Sequence, residues 1–225
     1  MSVPHHLARA ALTVAQAYAA PANAKGAHPM HSETEKSPLR TLETWIGEAR
    51  SLGVKDPDAM ALATTTPTGF PSVRIVLCRA IDDEGIRFFT NYESRKGREL
   101  GANAHAAAVF HWRELERQVR IEGDVTRSSA AVSDAYFAQR ARGSQLAARV
   151  SPQSQPIDSL DELLARQSAL DAELAGRAVE RPANWGGFDL RATAVELWRS
   201  GPSRLHDCMR YERKGAGWVA TRRGP

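Results

Sequence analysis

The spacing of apolar positions changes twice along the chain. In "SPLRTLETWIGEARSLGV", Leu39, Leu42, Trp45, Ile46 and Ala49 recur every three or four residues. This predicts an amphipathic helix with Ser37 as its cap and Pro38 in its first turn. From Ala59 the period shortens to two. "AMALATTT", "PSVRIVLCRAI", "IRFFTNY", "AAAVFHWRE" and "RQVRIEGDVTRS" read as short strands, with turns at Pro67 to Gly69 and at "DDEG". From Ser129 the pattern becomes helical again in "SAAVSDAYFAQRA" and "SLDELLARQSALDAELAG". The second of these sets Leu160, Leu163, Leu164, Leu170 and Leu174 on one stripe. "ERPANWGGFDL" reads as a break, and "TAVELWRSG", "RLHDCMRYERKG" and "GWVATRRG" as closing strands. The expected fold class is mainly β with flanking helices: an antiparallel meander curled into a barrel, helices outside it.

Residues 1–37 carry Ala, His, Pro, Ser and Lys without a sustained period, so they are expected to form a disordered or loosely ordered arm. The alanine-rich stretch before "APANA" is broken by Thr13 and Gln16, which favours an arm over a secretory leader. Residues 38–225 are expected to form one domain. Within 225 residues, 42% hydrophobic and 25% charged is ordinary for a globular chain, and no apolar run suits a membrane span. Lys plus Arg at 30 against Asp plus Glu at 26 leaves +4, an excess that suits a small anion as well as nucleic acid. No aromatic-basic RNA motif accompanies it, so no nucleic-acid partner is expected. The two cysteines, Cys78 and Cys208, form neither a disulfide framework nor a zinc-ligand spacing, so no metal is expected and a reducing cytoplasm is the natural setting.

Four polar clusters carry candidate chemistry. "SVRIVLCR" alternates Arg74, Val76 and Cys78 against Val73, Ile75, Leu77 and Arg79; by themselves the two arginines also fit rim positions. "NYESRKGREL" places Ser94, Arg95 and Lys96 where a turn enters a helix, so that free N–H groups and two cations could meet a phosphate, or simply a solvated helix start. "YFAQRARGSQ" spaces Tyr136, Arg140 and Ser144 by four. If the helix continues past Gly143, these are two hydroxyls and a guanidinium on one face. In "SRLHDCMRY", Arg204 and His206 would share a strand face if extended, combining an anion holder with a proton carrier. No hydrolytic nucleophile or metal motif completes any of them.

Taken in order, "RIVLCR", "FFTNYESRKGREL", "HWRELERQVRIEG", "YFAQRARGSQ", "VSPQSQ", "WGGF", "VELW" and "SRLHD" closely resemble the pyridoxine/pyridoxamine 5′-phosphate oxidase family from about Pro38 onward. The resemblance implies an FMN-binding split β-barrel working as a homodimer, each flavin lying between subunits. It assigns Arg74, Ile75, Val76, Leu77, Phe89, Thr90, Arg95, Lys96, Gln118, Gln153, Ser154 and Trp198 to FMN. It assigns Arg79, Tyr136, Arg140 and Ser144 to a small phosphorylated substrate, and Arg204 and His206 to orienting the substrate's pyridine ring as the catalytic pair. The implied reaction is oxidation of pyridoxamine or pyridoxine 5′-phosphate at the 4′ carbon to pyridoxal 5′-phosphate. The flavin accepts hydride and O2 reoxidises it to give H2O2.

Three positions depart from the family pattern. Arg79 stands where the family usually has lysine, Cys208 stands where it usually has a flavin-facing arginine, and the arm lacks the family's Arg-x-x-Tyr segment. These departures keep a second expectation open: an FMN-dependent oxidase of the same fold acting on another substrate, as phenazine-biosynthesis relatives do. The intact set Tyr136, Arg140, Ser144, Arg204 and His206 favours the vitamin B6 substrate.

Overall fold

A computed structural model describes residues 37–225. The expectation for the arm therefore lies outside the described residues, apart from Ser37. Helix α1 (Pro38–Ser51) starts where the apolar stripe starts and buries Leu39, Leu42, Trp45 and Ala49 almost completely. Ser37 makes no side-chain cap, however; its carbonyl receives the Arg40 N–H and its hydroxyl is buried without a partner.

Among the described residues, nine strands form one antiparallel sheet. They are β1 (Ala59–Thr65), β2 (Pro71–Leu77), β3 (Ala80–Ile81), β4 (Gly85–Asn91), β5 (His105–Trp112), β6 (Arg117–Arg127), β7 (Trp185–Arg199), β8 (Asp207–Lys214) and β9 (Gly217–Arg223). The spatial order is β2-β1-β5-β6-β7-β4-β3, and β8 pairs with both β7 and β9. The sheet curls around a core of Leu62, Phe88, Phe110, Val119, Ile121, Leu190 and Leu197 and stays open at β2, the split-barrel form expected. β7 organises it. One edge of β7 follows β6 from Phe188 to Arg199; the other pairs with β4 over Trp185 to Arg191 and with β8 over Ala194 to Arg199. A register shift at Glu122/Gly123 turns the ladder where β4 gives way to β8. A Cβ on Gly123 would lie 1.9 Å from the Arg191 carbonyl, so the bend requires glycine there.

Two expectations need correction. "WGGFDL" is not a break but the first half of β7. Its glycines admit neighbours that any side chain would exclude: a Cβ on Gly186 would meet the Tyr92 hydroxyl at 2.1 Å, and one on Gly187 would meet Ser128 Oγ at 2.5 Å. Likewise, Arg204 and His206 do not share a strand face. Pro202–Arg204 is a 3-10 turn, and β8 begins only at Asp207.

Among the described residues, four more helices flank the sheet: α2 (Arg95–Ala102), α3 (Ala130–Ala138), α4 (Arg142–Val150) and α5 (Leu160–Leu174). α5 buries no residue fully; Leu170 and Leu174 pack against Phe137, Leu146, Val179 and Trp185, while Leu160 and Leu164 stay exposed. Among the described residues, no helix is long and apolar enough to cross a membrane, and no group of His, Cys, Asp and Glu could hold a metal ion.

Candidate functional site

A cleft of about 960 Å³ opens between edge strand β2 and the start of α2. Because β2 has no neighbour on its outer edge among the described residues, residues from both of its faces reach the cleft, and Ser72 to Leu77 line it consecutively. Phe89 and Thr90 enter from β4, Arg95 and Lys96 from α2, Tyr136 from α3, and Gln153 and Ser154 from the loop after α4. Arg79, Arg140, Ala141, Ser144 and Trp185 complete it. Fourteen residues assigned by the resemblance are thus brought together. Ser72, Val73, Ala141 and Trp185 join them unassigned; Ser72 and Val73 lie in the same strand as Arg74.

One end of the cleft is cationic. Ser94 caps α2 by accepting the Gly97 N–H at 3.3 Å, and a Cβ on Gly97 would lie 2.2 Å from the Tyr92 carbonyl, so glycine lets the helix start tight against β4. Lys96 is buried and donates to Thr90 Oγ1 at 2.9 Å and Ser94 Oγ at 3.3 Å, while Thr90 donates to Gln153 Oε1 at 3.1 Å. Burial, and then the neighbouring Arg74 charge, lower the Lys96 pKa to about 8. Arg95 donates its Nε to Glu99 at 2.9 Å. Ser154 holds a left-handed φ of 68°, a conformation costing a non-glycine residue about 1 kcal/mol or more.

The other end is an aromatic shelf under a guanidinium. Tyr136 stacks on Phe89 with ring centroids 3.9 Å apart, Phe89 stacks on Trp185 at 5.6 Å, and the Arg140 guanidinium lies 4.6 Å over Trp185. The single helix that spacing suggested is two, α3 and α4, broken at Gln139 to Ala141, with Gly143 inside the second. Tyr136, Arg140 and Ser144 nevertheless reach the same cleft. Arg140 Nη1 is buried without a hydrogen-bond partner, and burial lowers the pKa of the group. Arg79 also lines the cleft while its Nη1 donates to Asp58 at 2.8 Å.

Gln118, Trp198, Arg204 and His206 are not among the lining residues of this cleft. They lie together on the β6-β7-β8 end. Gln118 and Trp198 are register partners, and the Trp198 and His206 rings are 4.7 Å apart. His206 Nδ1 accepts the Gly201 N–H at 3.2 Å, so the proton of its neutral ring sits on Nε2. Ser203 and Arg204 have successive left-handed φ values of 54° and 65°, which lift the exposed Arg204 out of the strand path. Cys208 pairs across to Trp198 on one side and Arg223 on the other.

Two family models match this chain in succession: pyridoxamine 5′-phosphate oxidase over residues 47–169, and the pyridoxine 5′-phosphate oxidase C-terminal dimerisation region over residues 185–225. The chain belongs to the pyridoxamine 5′-phosphate oxidase family. Among its relatives, the pyridoxine/pyridoxamine 5′-phosphate oxidase of Gluconobacter oxydans is 46% identical over 193 residues, covering 86% of this chain and 96% of its own length. That of Rubrobacter xylanophilus is 47% identical over 191 residues, 85% and 88% respectively. A solved structure, PhzG from Burkholderia lata in complex with tetrahydrophenazine-1-carboxylic acid, superposes with a TM-score of 0.83 at 32% identity, covering 89% of this chain and 98% of that one. The oxidase family's dimerisation region contains Trp198, Arg204 and His206, three of the four assigned residues that stand apart from the cleft.

Proposed function

We propose that this protein is an FMN-dependent oxidase that converts pyridoxamine or pyridoxine 5′-phosphate to pyridoxal 5′-phosphate. The observation that carries the reading is that one cleft is lined by two groups of cations and hydroxyls: Arg95 and Lys96 at the start of α2, and Arg140 with Tyr136 and Ser144 beside the aromatic shelf. A phosphorylated flavin and a phosphorylated substrate need one such group each. The residues fit both. Lys96 is a buried cation at a capped helix start, and Arg140 Nη1 is a buried donor without a partner.

FMN, when bound, supplies the two-electron redox chemistry, and O2 returns it to its oxidised state. The chain's residues bind, orient and exclude water. Arg95, Lys96 and Thr90 would hold the flavin phosphate, and Arg74 to Leu77, Gln153 and Ser154 would hold the rest of the flavin. Arg140, Tyr136, Ser144 and Arg79 hold the substrate phosphate, fixing the distance at which the pyridine ring lies. Gln118, Trp198, Arg204 and His206 come from the second subunit of a homodimer and complete each site. His206 presents an Nε2 proton and Arg204 a planar fork to the substrate ring. A cytoplasmic setting belongs to this reading, supported by two free thiols.

The match to PhzG supports a second reading: an oxidase of the same fold with a reduced phenazine substrate. Adding pyridoxamine and pyridoxine 5′-phosphate to FMN-loaded protein without oxygen separates the two. Bleaching of the flavin absorbance is expected with at least one of them. No bleaching by either would remove the B6 assignment while leaving the family assignment in place.

A further inference from the structure

Behind the cationic end of the cleft sits a carboxylate with no part in the assignments above. Glu99 is 5% exposed and lies one helical turn after Arg95. It receives hydrogen bonds from Arg95 Nε at 2.9 Å, Ser72 Oγ at 2.6 Å, Arg74 Nη2 at 3.2 Å and Thr64 Oγ1. Three of these four donors line the cleft: Arg95, Ser72 and Arg74. The hydroxyls act as relays, because Arg74 donates to Ser72 at 2.5 Å and to Thr64 at 2.6 Å while both donate onward to Glu99. Burial would raise the Glu99 pKa, but hydrogen bonds from Ser72, Thr64, Arg95 and Arg74 outweigh it and hold it at about 2, so the group is an anion throughout the neutral range.

The two arginines are engaged differently. Arg74 spends both terminal nitrogens on inward acceptors: the Leu62 carbonyl, Thr64, Ser72 and Glu99. Arg95 gives Glu99 only its Nε, and its side chain is 57% exposed. A guanidinium tethered by Nε keeps its two terminal NH2 groups for a bidentate contact with an anion. We propose that Glu99 is a positioning residue for phosphate recognition: it aims the Arg95 fork into the cleft and pins Arg74 behind it, so the site distinguishes a phosphorylated flavin from an unphosphorylated one. This inference rests on the flavin reading above.

The test titrates the apoprotein with FMN and with riboflavin, following flavin fluorescence, for the wild type, Glu99→Gln, Arg95→Ala and the double variant. Glu99→Gln keeps the side chain's size but removes its charge and turns one oxygen into a donor. It is expected to weaken FMN roughly tenfold to a hundredfold and to leave riboflavin within about twofold, the range for charge-assisted hydrogen bonds. In the Arg95→Ala background the same change is expected to cost much less, since its route to the phosphate is gone. Equal loss of both flavins, or full additivity with Arg95→Ala, would overturn the proposal in favour of a purely structural anion. Thr64→Val removes one donor to Glu99 and one acceptor of Arg74 while sparing the carboxylate. It carries the same FMN-selective expectation if Glu99→Gln does not fold. Wild-type protein that binds neither flavin would instead remove the flavin reading itself.

Discussion

At the scale of single residues, Lys96 decides how the site responds to pH. Its cation is the form a phosphate needs, and burial followed by the Arg74 charge holds its pKa at about 8 instead of the usual lysine value. FMN affinity of the apoprotein is therefore expected to hold near neutral pH, where the phosphate is a dianion, and to fall as pH rises through 8, while riboflavin affinity stays flat over the same range; parallel titrations check this. Stability of the apoprotein should move oppositely. The unfolded chain still carries the lysine proton above pH 8 where the folded chain has lost it, so this group's contribution rises with pH up to the unfolded pKa. Cys208 gives a second residue-scale expectation. Cys208→Arg should tighten FMN, measured by fluorescence titration. Unchanged affinity, combined with weakening in Arg223→Ala, would assign the missing cation to the register partner across the strand.

At the scale of elements, the turn after β7 positions the pair Arg204 and His206. A Cβ on Gly201 would lie 1.9 Å from the Leu205 carbonyl, a backbone atom, and the Gly201 N–H holds the His206 ring. Gly201→Ala is therefore expected to displace the turn, slowing anaerobic flavin reduction about tenfold or more while FMN binding at the α2 end changes less than about twofold; stopped-flow reduction and flavin titration read the two separately. Elements with clear periods were legible in the sequence: the α1 stripe and the β4, β5 and β6 strands fall where alternation puts them. "WGGFDL" was not, since two adjacent glycines signal a break unless the neighbours pressing on them are known, and Tyr92 and Ser128 come from far away in sequence. The turn carrying Arg204 was hidden for a related reason, since left-handed serine and arginine have no compositional signature.

Across the whole molecule, the cleft residues were legible through the family resemblance, but Glu99 was not. Its i, i+4 spacing from Arg95 is equally that of a surface pair, whereas its burial comes from β1 and β2 closing over it. On the proposed function, the separation of Gln118, Trp198, Arg204 and His206 from the cleft means that two chains together complete the site. Dilution through the dimer dissociation range is expected to release flavin and abolish turnover together, with sedimentation velocity and flavin fluorescence following the same curve. β7 also bears on how the chain is made. Its partner β4 precedes it by about a hundred residues, as the Arg87 to Asp189 ion pair across that ladder records with a separation of 102. A nascent chain on the ribosome therefore carries β4 and β6 with unpaired edges until the segment from Trp185 emerges. Stalled or truncated synthesis just short of that point would leave both edges open to pair with another molecule, so aggregation of this protein should be governed by translation of the segment that begins at Trp185.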